Sequence, residues 1–386
     1  MLSMSVFRAP AVIHMGPGVA DKAGQEANRA GVNRALLITD SFLLSSGIAD
    51  PVINSLRAAG VAVTVYSGVN SEPTLKHVEE CGAMLQQSGA ELLIGCGGGS
   101  AIDVAKAVSV VSANPGKIQD YMGLDKVPNA GVPILSVPTT AGTGSEATAV
   151  TIITDTERDV KMLIISPWIM PRAALIDPLL TLKLPRHITA ATGLDALTHA
   201  IEAYVSRKAQ SMTDILALSA VRLIAKNLPV AFDEPSNLEA RAATLLGAFQ
   251  AGLAFSNASV ALVHGMSRPI GALFHVPHGV SNAVLLGPVM EFSLSGSYGR
   301  YADVAQALGV APSGDQKKDA EAGAETVRQL IRRLEIPSLA QLGITRDKLE
   351  PVVLKMADDA LASGSPGNNP RLATQEEIIG LYYAMV

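Results

Sequence analysis

The sequence has few cysteines, no excess of basic residues and no long hydrophobic run, and each shortage excludes a class of protein. Two cysteines, Cys81 and Cys96, are too few for a disulfide framework, and this usage fits a reducing cytoplasm. A formal net charge of −5 without a long basic run argues against a nucleic-acid partner. No uninterrupted apolar run reaches the roughly 18 residues of a membrane span, and the N-terminus MLSMSVFRAP lacks the pattern of a signal peptide. We therefore expect a soluble, cytoplasmic protein with no membrane partner.

The first half of the chain has the pattern of an α/β fold. Hydrophobic residues make up 48% of the 386 positions, enough to fill the cores of two domains. Short apolar runs alternate with amphipathic stretches. Strands are predicted at 35–39, 61–66, 91–95 and 133–137, and helices at 51–59, 74–88 and 100–111. Such alternation predicts a parallel sheet with crossover helices. A paired ribbon, 150–154 with 160–165, is expected to follow, joined by a turn at 155–159.

The pattern changes after about Pro185. Long segments rich in alanine and leucine, with helical periodicity, follow at 188–205, 213–227, 238–255 and 318–334. A loop is expected at 363–370, before a last helix. The sequence therefore predicts an α/β domain over residues 1–185 and an all-α domain over residues 186–386.

A glycine-rich loop follows the third predicted strand and opens a helix. It runs from Gly95 to Ser100 and reads GCGGGS. Small residues let the backbone approach a ligand, and free N–H groups at a helix start attract an anion such as a phosphate. Ser100 stands where the full dinucleotide fingerprint has a third glycine, so a tight strand-to-helix turn is the alternative.

Two more polar features follow predicted strands. Asp40 ends an early strand, where a carboxylate can bond the ribose hydroxyls of NAD and repel the 2′-phosphate of NADP. The alternative for Asp40 is an ordinary helix N-cap. The small polar loop PTTAGTGS (138–145) can line a pyrophosphate or a nicotinamide, and a flexible surface loop is the alternative. Because parallel strands end at one edge of a sheet, the loops together favour a bound dinucleotide.

Four side chains have the chemistry of metal ligands. Asp195 and His199 lie four residues apart on a predicted helix, so both project from one face. His264 and His278 each precede a glycine, which permits close approach. One carboxylate and three imidazoles can hold a divalent transition metal. Taken singly, each of these residues is as well explained as a core, capping or solvent-facing group.

Taken together, four motifs resemble the iron-containing (group III) alcohol dehydrogenases. They are GGGSAID (97–103), PTTAGTGS (138–145), TGLDALTH (192–199) and the pair HGM (264–266) with PHG (277–279), in the family's order. The resemblance covers about residues 16–291. It implies a fold similar to that of dehydroquinate synthase, with a parallel-sheet α/β domain that binds the nucleotide and an all-α domain that binds the metal. Members of this family are often homodimers, so the resemblance also implies a homodimeric enzyme.

The resemblance further implies roles for individual residues. Iron (Fe²⁺) or zinc (Zn²⁺) would be held by Asp195, His199, His264 and His278. NAD, rather than NADP, would contact a larger set of residues. That set comprises Asp40, Gly97, Gly98, Gly99, Ser100, Asp103, Thr139, Thr140, Gly142, Ser145 and Lys161.

One position departs from the family pattern. Several members carry a further histidine, offered as a proton relay, four residues after the ligand that matches His264, whereas this chain has Arg268. Arg268 can bind a substrate carboxylate or pair with a nearby acid. His275 can take over the relay or face the substrate, with packing as the alternative. Arg268 and His275 are therefore the candidate catalytic residues beside the metal.

These parts predict a metal-dependent oxidoreductase that interconverts a small alcohol and its aldehyde or ketone by hydride transfer to or from NAD. The alternatives are a lyase or cyclase similar to dehydroquinate synthase, a reductase of a small acidic carbonyl compound, and a non-catalytic binding protein. The lyase is disfavoured because its phosphate-bearing substrate needs a cluster of basic residues, and none lies near the metal motifs.

Overall fold

The computed structural model describes residues 5–158 and 160–386, which divide into two compact units. One unit is Arg8–Leu182, and the other combines 5–7 with Lys183–Val386. This division lies close to Pro185, where the sequence pattern changes.

The Arg8–Leu182 unit contains a six-stranded sheet and a three-stranded sheet. The strands are β1 (Val12–Met15), β2 (Arg34–Ile38), β3 (Ala62–Tyr66), β4 (Leu92–Gly97), β5 (Gly123–Leu124), β6 (Ile134–Pro138), β7 (Val150–Asp155), β8 (Val160–Ile165) and β9 (Ala173–Ile176). The large sheet has the order β1-β9-β6-β4-β2-β3, and all its neighbours are parallel. In the small sheet β8 pairs antiparallel with β7 and parallel with β5.

Helices connect the parallel strands, as the alternating pattern predicts. They are α1 (Ala23–Arg29), α2 (Ser41–Ser45), α3 (Asp50–Ala58), α4 (Leu75–Ser88) and α5 (Gly99–Ala113). The central strand β4 is buried along its whole length, which explains its unbroken apolar run. Leu93 packs into the core on one face of the sheet, and Ile94 packs into the core on the other. The predicted strands, helices and ribbon of this unit are confirmed to within two residues at each end, although Asp159 of the predicted turn lies outside the described residues.

The other unit is helical, and no strand lies among its described residues. Its helices are α6 (Arg186–Val205), α7 (Ser211–Asp233), α8 (Leu238–Ala258), α9 (Leu262–Phe274), α10 (His278–Ser293), α11 (Tyr298–Ala307), α12 (Gln316–Arg333), α13 (Arg346–Leu349), α14 (Val353–Ala362) and α15 (Gln375–Tyr383). The predicted loop before the last helix is confirmed, with a single 3₁₀ turn at Ser365–Asn368. The predicted fold class, a parallel-sheet α/β unit with an all-α unit, is thereby confirmed.

One helix, α7, is long and apolar enough to span a membrane by length and composition alone, and the bent pair of α8 and α9 passes the same test together. A stripe on α7 is fully buried within its own unit, at Ala217, Val221, Ile224 and Leu228. Arg222 on the same helix is exposed. A buried apolar stripe of this kind is the pattern of a helix packed on a protein core, although Met212 and Ile215 near the start of α7 are exposed.

Candidate functional site

Helix α6 carries two of the predicted ligands. Asp195 and His199 lie on one face of it, four residues apart, and both side chains are buried. The helix has buried residues along most of its length rather than one apolar stripe. A carboxylate and an imidazole in such surroundings require polar partners, because an uncompensated buried polar group costs free energy.

The predicted ligands converge. Donor atoms of Asp195, His199 and His264 all lie within 4.8 Å of one another. The Nε2 atom of His264 is 2.9 Å from Nε2 of His199 and 3.8 Å from Oδ1 of Asp195. His278 is less buried, with its Nε2 atom 3.9 Å from the same carboxylate oxygen. Burial lowers the pKa of His264 to about 4, so its ring is neutral. Iron and zinc both favour such a set of nitrogen and oxygen donors.

Two residues that sequence reasoning missed hold the histidine rings in place. Glu202 accepts a 2.6 Å hydrogen bond from Nδ1 of His264, and its other oxygen accepts one from the backbone N–H of Val263. This bond leaves Nε2 of His264 unprotonated and directed at the cluster. Phe255 stacks on His199 with ring centroids 4.1 Å apart. Spacing could have identified Glu202, since it lies three residues after His199 on the same helix.

Asn282 occupies the point at which the donors meet. Its side-chain nitrogen lies 2.6 Å from Oδ1 of Asp195, 3.0 Å from Nε2 of His264 and 3.1 Å from Nε2 of His278. Its buried Oδ1 atom has no hydrogen-bond partner among the described residues. A positively polarised N–H group therefore lies where three acceptors converge, and a cation would satisfy the same acceptors. The residues present fit a bound divalent metal.

The glycines after the two downstream histidines allow close packing, as predicted. A Cβ atom at Gly265 would lie 2.6 Å from the Pro366 ring, and one at Gly279 would lie 2.6 Å from the carbonyl oxygen of Ala191 on α6. The alternative of a solvent-facing group is wrong for His264, which is buried within α9, whereas His278, the first residue of α10, is partly exposed. Helix α10 can therefore start against the helix that carries Asp195.

The two candidate catalytic residues have different settings. Arg268 lies one turn after His264 on α9 and is partly buried. His275 ends α9 in the left-handed conformation, with φ of 54°, and its side chain is exposed. An exposed ring can exchange protons with solvent. This geometry does not assign a role to either residue, so the catalytic roles of Arg268 and His275 stay predictions.

Three predicted dinucleotide-binding features lie at one edge of the parallel sheet. Asp40 follows β2, the glycine loop follows β4, and the small polar loop follows β6. These strands are neighbours in the sheet, so their carboxyl ends meet. The last two loops are joined at their bases, where the backbone N–H of Thr139 donates to the carbonyl oxygen of Gly97.

The glycines of the first loop have unequal roles. A Cβ atom at Gly95 would lie 2.7 Å from Cα of Ile102, and one at Gly99 would lie 2.9 Å from the side chain of Thr143. Gly97 has φ of 159° and ends β4. These positions require glycine for packing, as the alternative of a tight turn predicts. Gly98 differs, since a Cβ atom there would make only an ordinary contact of 3.6 Å with Thr140.

Asp40 is the N-cap of α2. Its carboxylate accepts a 2.8 Å hydrogen bond from the backbone N–H of Leu43, which is the alternative considered for it. The cap uses one carboxylate oxygen and leaves the other available. A contact between Asp40 and a ribose therefore stays a prediction.

The small polar loop is held from inside the unit, so its alternative as a flexible surface loop is wrong. The fully buried Lys106 donates from Nζ to the carbonyl oxygens of Ser145 and Val150, at 2.6 and 2.7 Å, and to Oγ1 of Thr148 at 2.9 Å. Asp103 accepts a hydrogen bond from Oγ of Ser145 and one from the backbone N–H of Ile152. Burial lowers the pKa of Lys106 to about 8, with Asp103 opposing that shift.

We call Lys106, Asp103 and Ser145 the loop brace. Sequence reasoning missed Lys106, which lies three residues after Asp103 on α5. The brace directs Asp103 and Ser145 at one another, so direct contact of either with a dinucleotide stays a prediction.

The remaining predicted dinucleotide contacts have varied surroundings. Nζ of Lys161, on β8, forms a 2.8 Å ion pair with Glu72, so a dinucleotide would have to share or replace this partner. Gly142 is buried, whereas Ser100 and Thr140 are partly exposed. These three residues lie in the two loops that are joined at their bases.

Comparisons with known proteins agree with this geometry. Residues 10–178 match the family model described as iron-containing alcohol dehydrogenase, and residues 189–386 match that of the Fe-containing alcohol dehydrogenase family, C-terminal. The chain is 36% identical to the NAD-dependent methanol dehydrogenase of Bacillus methanolicus over 377 residues, which cover 97% of this chain and 98% of that protein. It is 38% identical to lactaldehyde reductase of Escherichia coli K12 over 374 residues, 95% of this chain and 96% of that protein.

Solved structures show the same fold. A crystal structure of 1,3-propanediol oxidoreductase has a TM-score of 0.97 and 35% identity, with complete coverage of both chains. Sulfoacetaldehyde reductase from Bifidobacterium kashiwanohense, in complex with NAD⁺, has a TM-score of 0.90 and 30% identity, covering 100% of this chain and 99% of that one. These relatives are alcohol and aldehyde oxidoreductases, so the alternative of a dehydroquinate synthase-like lyase is not favoured. The chain belongs to the iron-containing alcohol dehydrogenase family, and it is an oxidoreductase that interconverts alcohols with aldehydes or ketones.

Proposed function

We propose that this enzyme is a cytoplasmic, NAD-dependent dehydrogenase of small alcohols, with Fe²⁺ or Zn²⁺ held by Asp195, His199, His264 and His278. The observation that carries the proposal is the convergence of donor atoms from three helices onto one buried point. Small substrates are supported by the relatives, whose names refer to methanol, lactaldehyde and 1,3-propanediol. The buried free thiols of Cys81 and Cys96 support a reducing compartment. A homodimer is a further proposal, supported by the family resemblance.

The chain's own residues orient this site. Glu202 fixes the tautomer of His264, and Phe255 fixes the plane of the His199 ring. Asn282 bonds Asp195, so it directs that carboxylate. A bound divalent ion supplies Lewis acidity, which lowers the pKa of an alcohol and polarises a carbonyl group. The exposed His275 is proposed to exchange the substrate's proton with solvent.

The direct test is a substrate panel. Purified protein loaded with Fe²⁺ or Zn²⁺ should oxidise short primary alcohols or diols and reduce the matching aldehydes with the nicotinamide cofactor. The metal-free protein should do neither. If both forms were inactive over the panel with NAD and with NADP, the proposal would be wrong.

A dinucleotide is proposed to bind at the carboxyl edge of β2, β4 and β6. A relative named NAD-dependent methanol dehydrogenase and a neighbouring structure solved with NAD⁺ support this cofactor. Helix α5 directs the N–H groups of its first turn at this edge, where they favour a pyrophosphate. Gly98 precedes that turn, and a Cβ atom there would make only an ordinary contact with Thr140. The backbone there can therefore meet the ligand closely.

The variant Gly98→Ala separates ligand approach from packing. The protein itself tolerates a methyl group at this position, and φ of −68° suits alanine, so thermal stability should change little. A pyrophosphate against the same backbone would be displaced, so the dissociation constant for NADH should rise at least about tenfold, or roughly 1.4 kcal/mol. Titration of NADH fluorescence measures it. Gly99→Ala is the matched control, which should lower the unfolding temperature because its methyl group meets Thr143. Unchanged NADH affinity in Gly98→Ala would place the pyrophosphate elsewhere.

The variant Asp40→Asn tests the preference for NAD over NADP. Asparagine caps a helix as well as aspartate does, so the bond to the Leu43 N–H is kept while the negative charge is lost. If Asp40 faces the ribose, removing its charge should improve kcat/KM for NADP relative to NAD about tenfold or more. Both cofactors are assayed at equal ionic strength. An unchanged ratio with unchanged stability would show that Asp40 is a cap and nothing else.

A further inference from the structure

Among the described residues, Arg268 is a cation without an ion-pair partner, and it lies beside the proposed metal site. It follows His264 by four residues on α9, so the two side chains project from one face of the helix. Its charge acts electrostatically on His264 and on Glu202. Within residues 5–158 and 160–386, its guanidinium forms no ion pair and no side-chain hydrogen bond. The two acids of α6 have other partners, since Glu202 binds His264 and Val263, and Asp195 binds Asn282.

Burial makes this arrangement unfavourable in the ligand-free protein. The side chain is only partly exposed, and burial lowers the pKa of its guanidinium. A cation removed from water requires an anion, or hydrogen-bond acceptors, to offset its lost hydration. Among the described residues, Glu202 attracts this charge but forms neither an ion pair nor a hydrogen bond with the guanidinium. A hydrogen-bonded anionic partner would therefore have to come from outside the chain.

The charge of the assembled site points the same way. Burial raises the pKa of Glu202 to about 7, so the carboxyl groups of Asp195 and Glu202 together would at most balance a bound divalent ion held with neutral histidines. Arg268 then leaves the site with at least one net positive charge. A guanidinium presents parallel N–H groups that match the two oxygens of a carboxylate.

We propose that Arg268 binds the carboxylate of the substrate, so that the preferred substrates are short hydroxy acids and the corresponding oxo acids rather than neutral alcohols. This inference rests on the proposed function, because it places the reacting carbon at the metal site and the acid group at Arg268. It assigns Arg268 to substrate selection and adds no chemical step to the alcohol–aldehyde interconversion. Neutral alcohols remain substrates, with lower kcat/KM.

The test compares acids and diols of equal length. The pairs are 3-hydroxypropionate with 1,3-propanediol, and 4-hydroxybutyrate with 1,4-butanediol. In Arg268→Met, which keeps the length of the side chain, the ratio of kcat/KM for acid over diol should fall about ten- to hundredfold. Arg268→Lys keeps the charge and should retain part of the preference. Arg222→Met, an exposed arginine on α7, is the control and should leave the ratio unchanged.

A second readout is independent of turnover. Thermal unfolding of the metal-free protein is followed with sodium propionate and with sodium chloride at equal ionic strength. Propionate should raise the unfolding temperature of the wild type and of Arg222→Met more than chloride does, and it should lose this advantage in Arg268→Met. Equal responses in all three proteins would overturn the inference.

The possible failures can be told apart. A protein that oxidises neither acids nor diols with NAD and either metal contradicts the proposed function itself. A protein that oxidises both, with the same acid-to-diol ratio in the wild type and in Arg268→Met, contradicts only the role of Arg268. A higher KM for NAD in Arg268→Met, with an unchanged acid-to-diol ratio of kcat/KM, would also overturn the role of Arg268 in carboxylate binding. The anion bound by Arg268 would then be a phosphate of the dinucleotide.

Discussion

The variant His264→Ala is expected to lose bound metal and activity together. It removes one of four proposed ligands and leaves the Glu202 carboxylate without the ring that it holds. Loss of an outer partner alone typically costs 10- to 100-fold in metal affinity or activity, so loss of a ligand should cost at least about 100-fold. Metal analysis of the purified variant and assay with added Fe²⁺ or Zn²⁺ measure both quantities. Full activity with full metal content would contradict the proposed ligand set.

Two further proteins make this prediction specific. His187→Ala replaces an exposed histidine at the start of α6 and should keep both metal and activity. Glu202→Gln keeps a hydrogen-bond acceptor for His264 but removes the charge, so an intermediate loss of metal affinity is expected. A chelator should lower the unfolding temperature of the wild type and of His187→Ala, because a ligand held at about 100 times its dissociation constant stabilises a protein by roughly 2.7 kcal/mol. The same chelator should have little effect on His264→Ala.

The variant Lys106→Met is expected to destabilise the protein strongly. Nζ of Lys106 satisfies buried acceptors on Ser145, Thr148 and Val150, and its charge favours the ionised form of the partly buried Asp103. The variant leaves these buried acceptors without a donor, and each buried polar group left unsatisfied typically costs about 1–3 kcal/mol. Urea unfolding followed by circular dichroism should show this loss as a lower midpoint for the variant.

The matched control for Lys106 is a lysine of the same unit at the surface. Lys76 pairs with Glu80 one helical turn away, and its side chain is 79% exposed, so Lys76→Met should change stability by less than about 0.5 kcal/mol. The variant Lys106→Met should also weaken dinucleotide binding, because the brace positions the loop after β6. If both lysine variants unfolded at the same urea concentration, the brace would have no energetic importance.

Periodicity predicted the parts of the fold in which one pattern extends over many residues. The helices α4, α5, α6 and α8 were found in this way, as were β2 and β4. Strands β1 and β9 were missed because each has only four residues, too few to show a period. Helices α9 and α10 were missed because glycine and proline interrupt them, at Pro269 and Pro288 among other positions.

The proposed metal ligands were predicted from the sequence, whereas most of the residues that position them were not. Asp195 and His199 were found by helical spacing, and the motif resemblance added His264 and His278. Asn282 and Phe255 were missed, because neither residue type is a usual metal ligand and their positions depend on how α8 and α10 pack against α6. The brace residue Lys106 was missed for a related reason. In the sequence it is one lysine on a helix, and only the folded chain shows that it is buried.

The bond between Thr139 and Gly97 joins the two loops where they leave neighbouring strands, and the brace fixes the second loop to α5. A cofactor that binds at this edge therefore meets loops that are already ordered, and little chain entropy is lost on binding. Association should then be a single fast phase whose rate rises linearly with cofactor concentration, without the plateau that a slow rearrangement would impose.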